Sequence, residues 1–187
     1  QGYAFIGWPT YQGAFKNIRE ERIAYVLGQM LRDNATRLFR SEGGATYSPM
    51  EMVDMSTFLP DYGYIAVAIE VPPETLDDVQ DKIQGLALEL AMRLQPQSEI
   101  DRVVQPTLER TRRNIVTNVG YWMAMLANAH DDPGGMQYIR TELSDYASIT
   151  PEDVRAAAKK WLKPETAWRL KIVPDRQSVV EGKSGDL

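Results

Sequence analysis

Arg40 and Tyr47, which have six residues between them, are the best candidates for chemistry in this sequence. An arginine carries a rigid fork of hydrogen-bond donors that can hold a backbone carbonyl. A tyrosine hydroxyl can stabilise negative charge that develops on a carbonyl oxygen. Neither side chain replaces a metal ion or a nucleophile. The pair is therefore expected to assist a reaction whose metal ion or nucleophile is supplied from outside this chain.

Each of these residues also has an ordinary structural explanation. A cation at the end of a helix, such as Arg40, is favoured by the helix dipole. Tyr47 could be a half-buried aromatic residue on a strand. The two occur together in a helix, Gly-Gly, strand context, and this context favours the functional interpretation. Glu42 could act as an acid, but a solvated residue at a helix end is the simpler interpretation.

Other catalytic groups are scarce. The chain has no cysteine and one histidine, His130. Cysteine-ligated zinc, disulfides and thiol catalysis are therefore excluded. Zinc sites need three or four ligands, and serine triads depend on histidine. His130 precedes a turn-like Asp-Asp-Pro-Gly-Gly stretch, so we predict a helix-terminal or surface position. We expect no metal and no cofactor in this chain.

The charge pattern argues against nucleic acid and membrane partners. The formal net charge is −5 and the pI is about 5.0. The one cationic cluster, Arg110, Arg112 and Arg113, is typical of a solvated helix face. No run of eighteen apolar residues is present. The chain begins at Gln1, just before a strand-like segment, and we expect it to be a piece of a longer polypeptide.

Hydrophobic periodicity predicts an alternation of strands and helices. Leu59 to Gly63 is predicted to join a hairpin, and Gly43-Gly44 to end the first helix. Ser98 with Asp101 resembles a helix start, Pro106 predicts a kink or restart, and Thr150 is predicted to cap the last helix. The predicted strands are 3–8, 46–58, 64–71 and 167–173, the predicted helices are about 18–40, 74–94, 98–117, 121–129, 137–147 and 151–162, and residues 131–135 are predicted to be a loop.

This order, β-α-β-β-α followed by further helices and a last strand, predicts an α+β fold. We expect an antiparallel or mixed sheet with helices packed mainly on one face. In the segment 64–71, apolar residues alternate in a way that suits a sheet covered on one side. We expect residues 1–174 to form a single domain and the polar tail, residues 175–187, to be frayed. Tyr121, Trp122, Met123 and Met125 could line a peptide channel, but core packing is the preferred interpretation.

The segment from Leu38 to Pro49 resembles the L-x-R-x-x-x-G-x-x-Y pattern of the insulinase/pitrilysin family of inverted zinc metallopeptidases and of mitochondrial processing peptidase subunits. The opening strand with Gly7-Trp8-Pro9, the hairpin, the helix start at Thr150 and the final strand fall in the family's order. The resemblance covers about residues 3 to 174.

The resemblance implies two homologous halves that face each other across a peptide chamber. In this family, zinc and the general base come from an H-x-x-E-H motif in one domain, and an arginine and a tyrosine come from a later, zinc-free domain. This chain contains no H-x-x-E-H motif. It resembles the zinc-free C-terminal domain, with Arg40 and Tyr47 as the pair. A peptide substrate and a zinc-bearing homologous domain are the implied partners.

The leading hypothesis is therefore a non-catalytic domain of a bacterial zinc peptidase. It would bind peptide and supply Arg40 and Tyr47 to zinc chemistry in another domain. A structural or assembly domain without a peptidase role is the alternative. An edge strand such as 46–58 could also bind peptide by strand addition. The bacterial periplasm is the expected location because of the family's common setting and the missing cysteines, and the cytoplasm is the alternative.

Overall fold

The computed structural model describes residues 1–13, 17–42, 48–56, 59–131 and 133–174. Within them, helices lie on one side of a four-stranded sheet, which confirms the predicted α+β class. The elements are β1 (Gly2–Pro9), α1 (Ile18–Ser41), β2 (Met50–Met55), β3 (Gly63–Val71), α2 (Leu76–Met92), α3 (Gln97–Thr117), α4 (Val119–Asp131), α5 (Pro133–Ala147), α6 (Pro151–Trp161) and β4 (Trp168–Ile172).

The sheet is antiparallel throughout, with strand order β2-β3-β1-β4. Phe5 of the central strand β1 faces Ala68 of β3 on one side and Leu170 of β4 on the other. The edge strands are β2 and β4. Strand β2 is shorter than the predicted 46–58, and residues 46, 47, 57 and 58 lie outside the described part of the chain.

One face of the sheet is the floor of the hydrophobic core. Helix α1 packs against β2 and β3, and α2 packs against β1. Gly28 lets α1 approach closely, because a Cβ atom there would lie 2.4 Å from Cγ2 of Val53. In the two central strands, β1 and β3, the apolar side chains on this face are completely buried: Ala4, Ile6, Trp8, Ile65, Val67, Ile69 and Val71.

Helix α1 carries the first functional candidate at its last turn. Asn17 caps its start, since the Asn17 side chain accepts a hydrogen bond of 3.2 Å from the backbone N–H of Glu20. Its buried residues recur every three to four positions and hold the helix on the sheet. The buried apolar residues of α1 are Ile23, Ala24, Val26, Leu27, Met30, Leu31, Ala35 and Phe39.

A buried arginine joins α1 to α5. The Arg22 side chain has no exposed surface, and its Nε lies 3.1 Å from Oδ2 of Asp145. Its guanidinium donates to the backbone carbonyl of Tyr138 and lies 4.5 Å from the centre of the Tyr138 ring. The Tyr146 ring is 5.5 Å away. Burial raises the pKa of both tyrosines, so both rings remain neutral partners for the cation.

Helix α6 begins with the predicted cap. The Thr150 hydroxyl accepts from the N–H of Asp153 at 3.2 Å, and the Asp153 carboxylate accepts from the N–H of Thr150 at 3.0 Å. Pro151 follows at the first helical position, where its missing N–H is harmless. This reciprocal pair satisfies two backbone donors at the helix start.

Thr150→Ala is expected to destabilise the fold by about 1 kcal/mol, because one of these N–H groups loses its partner. Urea unfolding followed by circular dichroism measures the change. Thr117→Ala is the matched control, since the exposed Thr117 hydroxyl only returns a hydrogen bond to the Arg113 carbonyl of its own helix. Equal stability of both variants would show that the cap contributes little.

Two expectations about α3, a cap at Ser98 and a restart at Pro106, are wrong. The helix begins at Gln97 with Pro96 as its N-terminal cap residue, so Ser98 lies inside the first turn and caps nothing. The helix also continues through Pro106 to Thr117. Pro106 removes one backbone hydrogen bond, but residues on both sides of it are buried in the core. Tertiary packing therefore keeps the two halves in one helix.

The loop predicted at residues 131–135 is also wrong. Helix α5 already starts at Pro133, where proline suits a first helical position. Helix α4 reaches Asp131, and helix α5 begins at Pro133. The predicted break near residue 118 is confirmed, because Asn118 has extended backbone angles between α3 and α4. The predicted tail, residues 175–187, lies outside the described residues.

Candidate functional site

Arg40 lies in the last turn of α1, and its side chain is exposed. The next turn closes when the N–H of Glu42 donates to the Leu38 carbonyl at 3.2 Å. No side chain in the described ranges pairs with Arg40. The guanidinium of Arg40 can therefore bind a group that lies outside the described residues.

Tyr47, the second predicted site residue, lies outside the described residues, as do Gly43 and Gly44. The structure resumes at Ser48 and enters β2 at Met50. Arg40 and β2 thus flank the segment that contains Tyr47. The joint action of Arg40 and Tyr47 stays a prediction.

Glu42, the nearby carboxylate, ties α1 to α2. Its Oε2 accepts from Nζ of Lys82 at 2.7 Å, and Lys82 also reaches Asp78 at 2.9 Å. The hydrogen bond to Glu42, which has the larger effect, and the one to Asp78 both raise the pKa of Lys82. The Glu42 side chain is 42% exposed. The interpretation of Glu42 as a solvated helix-end residue is confirmed.

The described residues contain no cluster of three or more His, Cys, Asp or Glu side chains that could hold a metal ion. His130 is the penultimate residue of α4, which agrees with a helix-terminal position. Arg110, Arg112 and Arg113 are exposed on α3, which confirms that they occupy a solvated helix face. None of the described helices is long and apolar enough to cross a membrane.

The aromatic and methionine residues of α4 do not form a simple core stripe. Met123 is 69% exposed, so the core prediction is wrong for it. Tyr121 donates to the Glu142 carboxylate at 2.6 Å, and Trp122 Nε1 donates to the Ile115 carbonyl at 2.9 Å. Burial and Glu142 together raise the pKa of Tyr121. These two rings therefore fasten α4 to its neighbours through their polar atoms.

The sheet face opposite the helices was missed by sequence reasoning. This open face is apolar, and no described helix packs on it. It contains a groove of about 650 Å³. Along the strands, its positions are Tyr3, Phe5, Gly7 and Pro9 of β1, Met50, Met52 and Asp54 of β2, Tyr64, Ala66, Ala68 and Glu70 of β3, and Trp168, Leu170 and Ile172 of β4.

The Trp168 ring lies over Gly7 on this face. A Cβ atom at Gly7 would come within 2.3 Å of the Trp168 ring, so only glycine leaves room for it. Tyr64 meets Trp168 edge to face at 6.4 Å, and Tyr62 meets Tyr64 in the same way at 6.2 Å. Burial, Asp54 and Tyr62 raise the pKa of Tyr64, so its hydroxyl stays a donor at neutral pH.

Tyr11 stands at the rim of the groove in a strained backbone conformation. Its φ is 53°, a left-handed value that is unusual for a bulky residue. The hydrogen bonds from Thr10 N–H to the Gly63 carbonyl and from Gly13 N–H to the Pro60 carbonyl, both 2.8 Å, hold the chain on either side. Tyr11 is 67% exposed. Such strain, when the surroundings enforce it, is a feature of functional sites.

A signal for this face was present in the sequence. The β1 segment YAFIGW is apolar at both odd and even positions. A strand with one solvated face would instead alternate between apolar and polar residues. In β4, Trp168, Leu170 and Ile172 alternate with Arg169 and Lys171, which form ion pairs with α2. The large residues of β4 therefore point away from the helices.

No protein-family model and no curated protein matches the sequence. Solved structures show the fold. The inactive peptidase domain of a proposed zinc protease from Bordetella parapertussis superposes with a TM-score of 0.73 at 15% identity, over 94% of this chain and 91% of that chain.

Two longer proteins share the fold. A protein assigned to the insulinase family of proteases from Yersinia pestis gives a TM-score of 0.69 at 11% identity, over 98% of this chain and 42% of its own. The periplasmic protease PqqL from Escherichia coli gives 0.69 at 16% identity, over 93% of this chain and 19% of its own. The chain thus has the fold of insulinase-type peptidase domains and spans less than half of these two proteins.

Proposed function

We propose that this chain is a zinc-free domain of a bacterial metallopeptidase of the insulinase type. Its fold likeness to an inactive peptidase domain, over 94% of its length, is the observation that carries the proposal. The described residues offer no metal cluster, so the zinc would be held by a homologous complementary domain on the same polypeptide or on a partner subunit. The domain would help to enclose and bind a peptide.

Arg40 and Tyr47 would be this domain's contribution to the reaction. Zinc in the complementary domain would polarise the scissile carbonyl and activate water. The Tyr47 hydroxyl would donate to the carbonyl oxygen as negative charge develops on it. The Arg40 fork would hold a backbone carbonyl of the substrate. The exposure of Arg40 at the end of α1 supports such a reach across a chamber.

Strand β2 offers a second way to hold the peptide. It is an edge strand, so its outer backbone groups lack a partner strand among the described elements. An extended peptide could pair with these groups independently of its sequence. The periplasm is the proposed location, supported by PqqL, a periplasmic protease of the same fold.

The isolated chain is expected neither to bind Zn²⁺ tightly nor to cleave peptides, because its described residues supply no set of metal ligands. Calorimetric titration with zinc chloride and a fluorogenic peptide assay measure both properties. Mixing the chain with the zinc-bearing domain should restore cleavage. Cleavage by the zinc-bearing domain alone, at the same rate, would contradict the proposed contribution and favour an assembly role.

A further inference from the structure

Helix α4 presents an apolar surface to solvent. Its sequence contains no charged residue from Val119 to Ala127. Val119, Met123 and Leu126 recur at helical spacing on one side of α4, and they are 73%, 69% and 51% exposed. Val116, at the end of α3, is 81% exposed. These four residues are called the α4 stripe. A surface helix normally turns polar residues to solvent, so the α4 stripe has the character of an interface.

The opposite side of α4 is fastened to the rest of the domain. Tyr121 donates to the Glu142 carboxylate of α5, and Trp122 donates to the Ile115 carbonyl of α3. Helix α5 also packs along α4. These contacts hold α4 in place and leave the α4 stripe uncovered by the described elements. A surface that is held in position before binding loses little conformational entropy when a partner covers it.

Unpaired cations lie beside the α4 stripe. Arg112 and Arg113 precede Val116 by four and three residues, so they share its side of α3. Both are exposed, as is Arg110, and no carboxylate in the described part of the chain pairs with any of the three. From Glu109 to Ala127 the chain has three arginines and one glutamate, a net charge of +2, although the whole chain carries −5. A partner that complements this surface is apolar at its centre and acidic at its edge.

We propose that the α4 stripe docks an amphipathic helix of a partner protein, whose carboxylates pair with Arg112 and Arg113. The apolar face of the partner helix covers the α4 stripe. The surface assigned to this partner includes neither Arg40 nor Tyr47. The proposal therefore goes beyond the proposed function and does not depend on it.

The shape of α4 suits a helix. Gly120, Ala124 and Ala127 are exposed next to the larger side chains of the α4 stripe. Their small side chains leave a shallow groove along α4, and a row of side chains on a second helix can pack into such a groove. A lipid surface has no row of side chains to fill it. The net charge of −5 also opposes the approach of the chain to an anionic membrane.

A second copy of the chain fits this surface less well. The segment from Val119 to Ala127 contains no carboxylate. Two α4 stripes packed on each other would therefore leave the arginines of both copies without a counter-charge. An acidic amphipathic helix supplies both the apolar face and the carboxylates.

The test compares two fluorescein-labelled helical peptides of about 18 residues, long enough to form a helix. The acidic peptide has leucine every three to four positions and glutamate or alanine elsewhere, and the basic peptide has lysine in place of glutamate. Binding to the complete enzyme is measured by fluorescence anisotropy in EDTA, so that cleavage does not consume the probe. The acidic peptide is expected to bind about 10-fold more tightly, because it forms several ion pairs where the basic peptide is repelled.

Two variants of the surface sharpen the test. Met123→Glu places a carboxylate in the centre of the α4 stripe and should weaken the acidic peptide about 10-fold. Met92→Glu is its matched control, since Met92 is 71% exposed at the end of α2 and should not affect binding. The double variant Arg112→Glu, Arg113→Glu should reverse the preference, so that the basic peptide binds more tightly. This variant keeps the test valid if Met123→Glu does not fold.

Equal binding of the two peptides, or binding of neither, would overturn the proposal. A dimer seen in sedimentation equilibrium and lost in Met123→Glu would overturn it too, since the α4 stripe would then join two copies. Co-sedimentation with phosphatidylglycerol vesicles that Met123→Glu abolishes would assign the surface to lipid instead. Hydrolysis of a fluorogenic peptide should be unchanged in Met123→Glu, so the failure of this proposal and the failure of the proposed function are distinguishable.

Discussion

Replacing Tyr47 with phenylalanine is expected to lower kcat of the complete enzyme by about 10²–10³-fold, the usual loss when one donor to a developing oxyanion is removed. The substrate's ground-state carbonyl needs the hydroxyl far less than the charged intermediate does. KM should therefore change little, because an interaction made only in the transition state affects kcat and kcat/KM equally. Steady-state hydrolysis of a fluorogenic peptide measures both constants.

Two matched variants separate this effect from general damage. Tyr3→Phe removes another hydroxyl, which donates to Glu70 at 3.3 Å at the far end of β1, and should leave kcat unchanged. Arg40→Gln should reduce kcat/KM about 10-fold through lost substrate binding, whereas Arg93→Gln, at the end of α2, should not. A normal kcat for Tyr47→Phe would place Tyr47 away from the reacting carbonyl and support the assembly alternative.

Arg22→Met is expected to destabilise the chain by about 3–5 kcal/mol, the usual loss when one partner of a buried ion pair is removed. Methionine keeps most of the stem volume but leaves the Asp145 carboxylate, whose side chain is only 19% exposed, without its cation. It also removes the cation that contacts the Tyr138 and Tyr146 rings. Urea denaturation at neutral pH measures the free energy of unfolding.

Arg37→Met is the control on the same helix. Its partner Glu99 lies 2.9 Å away, but the Arg37 side chain is 52% exposed, so a loss below about 1 kcal/mol is expected. Combining Arg22→Met with Asp145→Leu should recover part of the stability, because no unpaired charge then remains. If Arg22→Met is as stable as the original chain, the ion pair contributes nothing to the fold.

The helices with clear periodicity could be predicted from the sequence, because their buried stripes determine how they pack. Helix α1 carries such a stripe, and its end near Arg40 was placed within one residue. The cap at Thr150 was predictable because a capping box depends on residues three apart in sequence. These features are local, so neighbouring residues are enough to specify them.

The misassigned elements depend on contacts that are distant in sequence. Pro106 predicts a break when its own helix is considered alone, but the buried residues around it hold α3 together. Proline is common in turns, which is why a loop is predicted around Pro133, but Pro133 stands at the first position of helix α5. The groove combines β1, β3 and β4, strands far apart along the chain, so its aromatic cluster could not be assembled before the sheet order was known.

Of the two candidate site residues, Arg40 is the one whose structural setting could be predicted from the sequence. Arg40 is exposed at the end of α1, where the periodicity places it. The role of Tyr47 was inferred from spacing and resemblance rather than from packing, and so it depends on the kinetic experiment. Trp168 lies in the predicted strand 167–173, but its ring contacts could not be predicted, because its neighbours across the sheet lie about 100 residues or more earlier in the chain.

The pairing of β1 with β4 has a consequence for synthesis on the ribosome. Tyr3 lies opposite Ile172, so β1, the earliest of the four described strands in the sequence, has β4, the latest of them, as one of its two partners. While the chain elongates, one edge of β1 stays without its native partner, next to an apolar face. Pairing across so many residues is intrinsically slow and exposes nascent chains to aggregation. Productive folding of this domain is therefore expected to finish only after β4 has left the ribosomal tunnel.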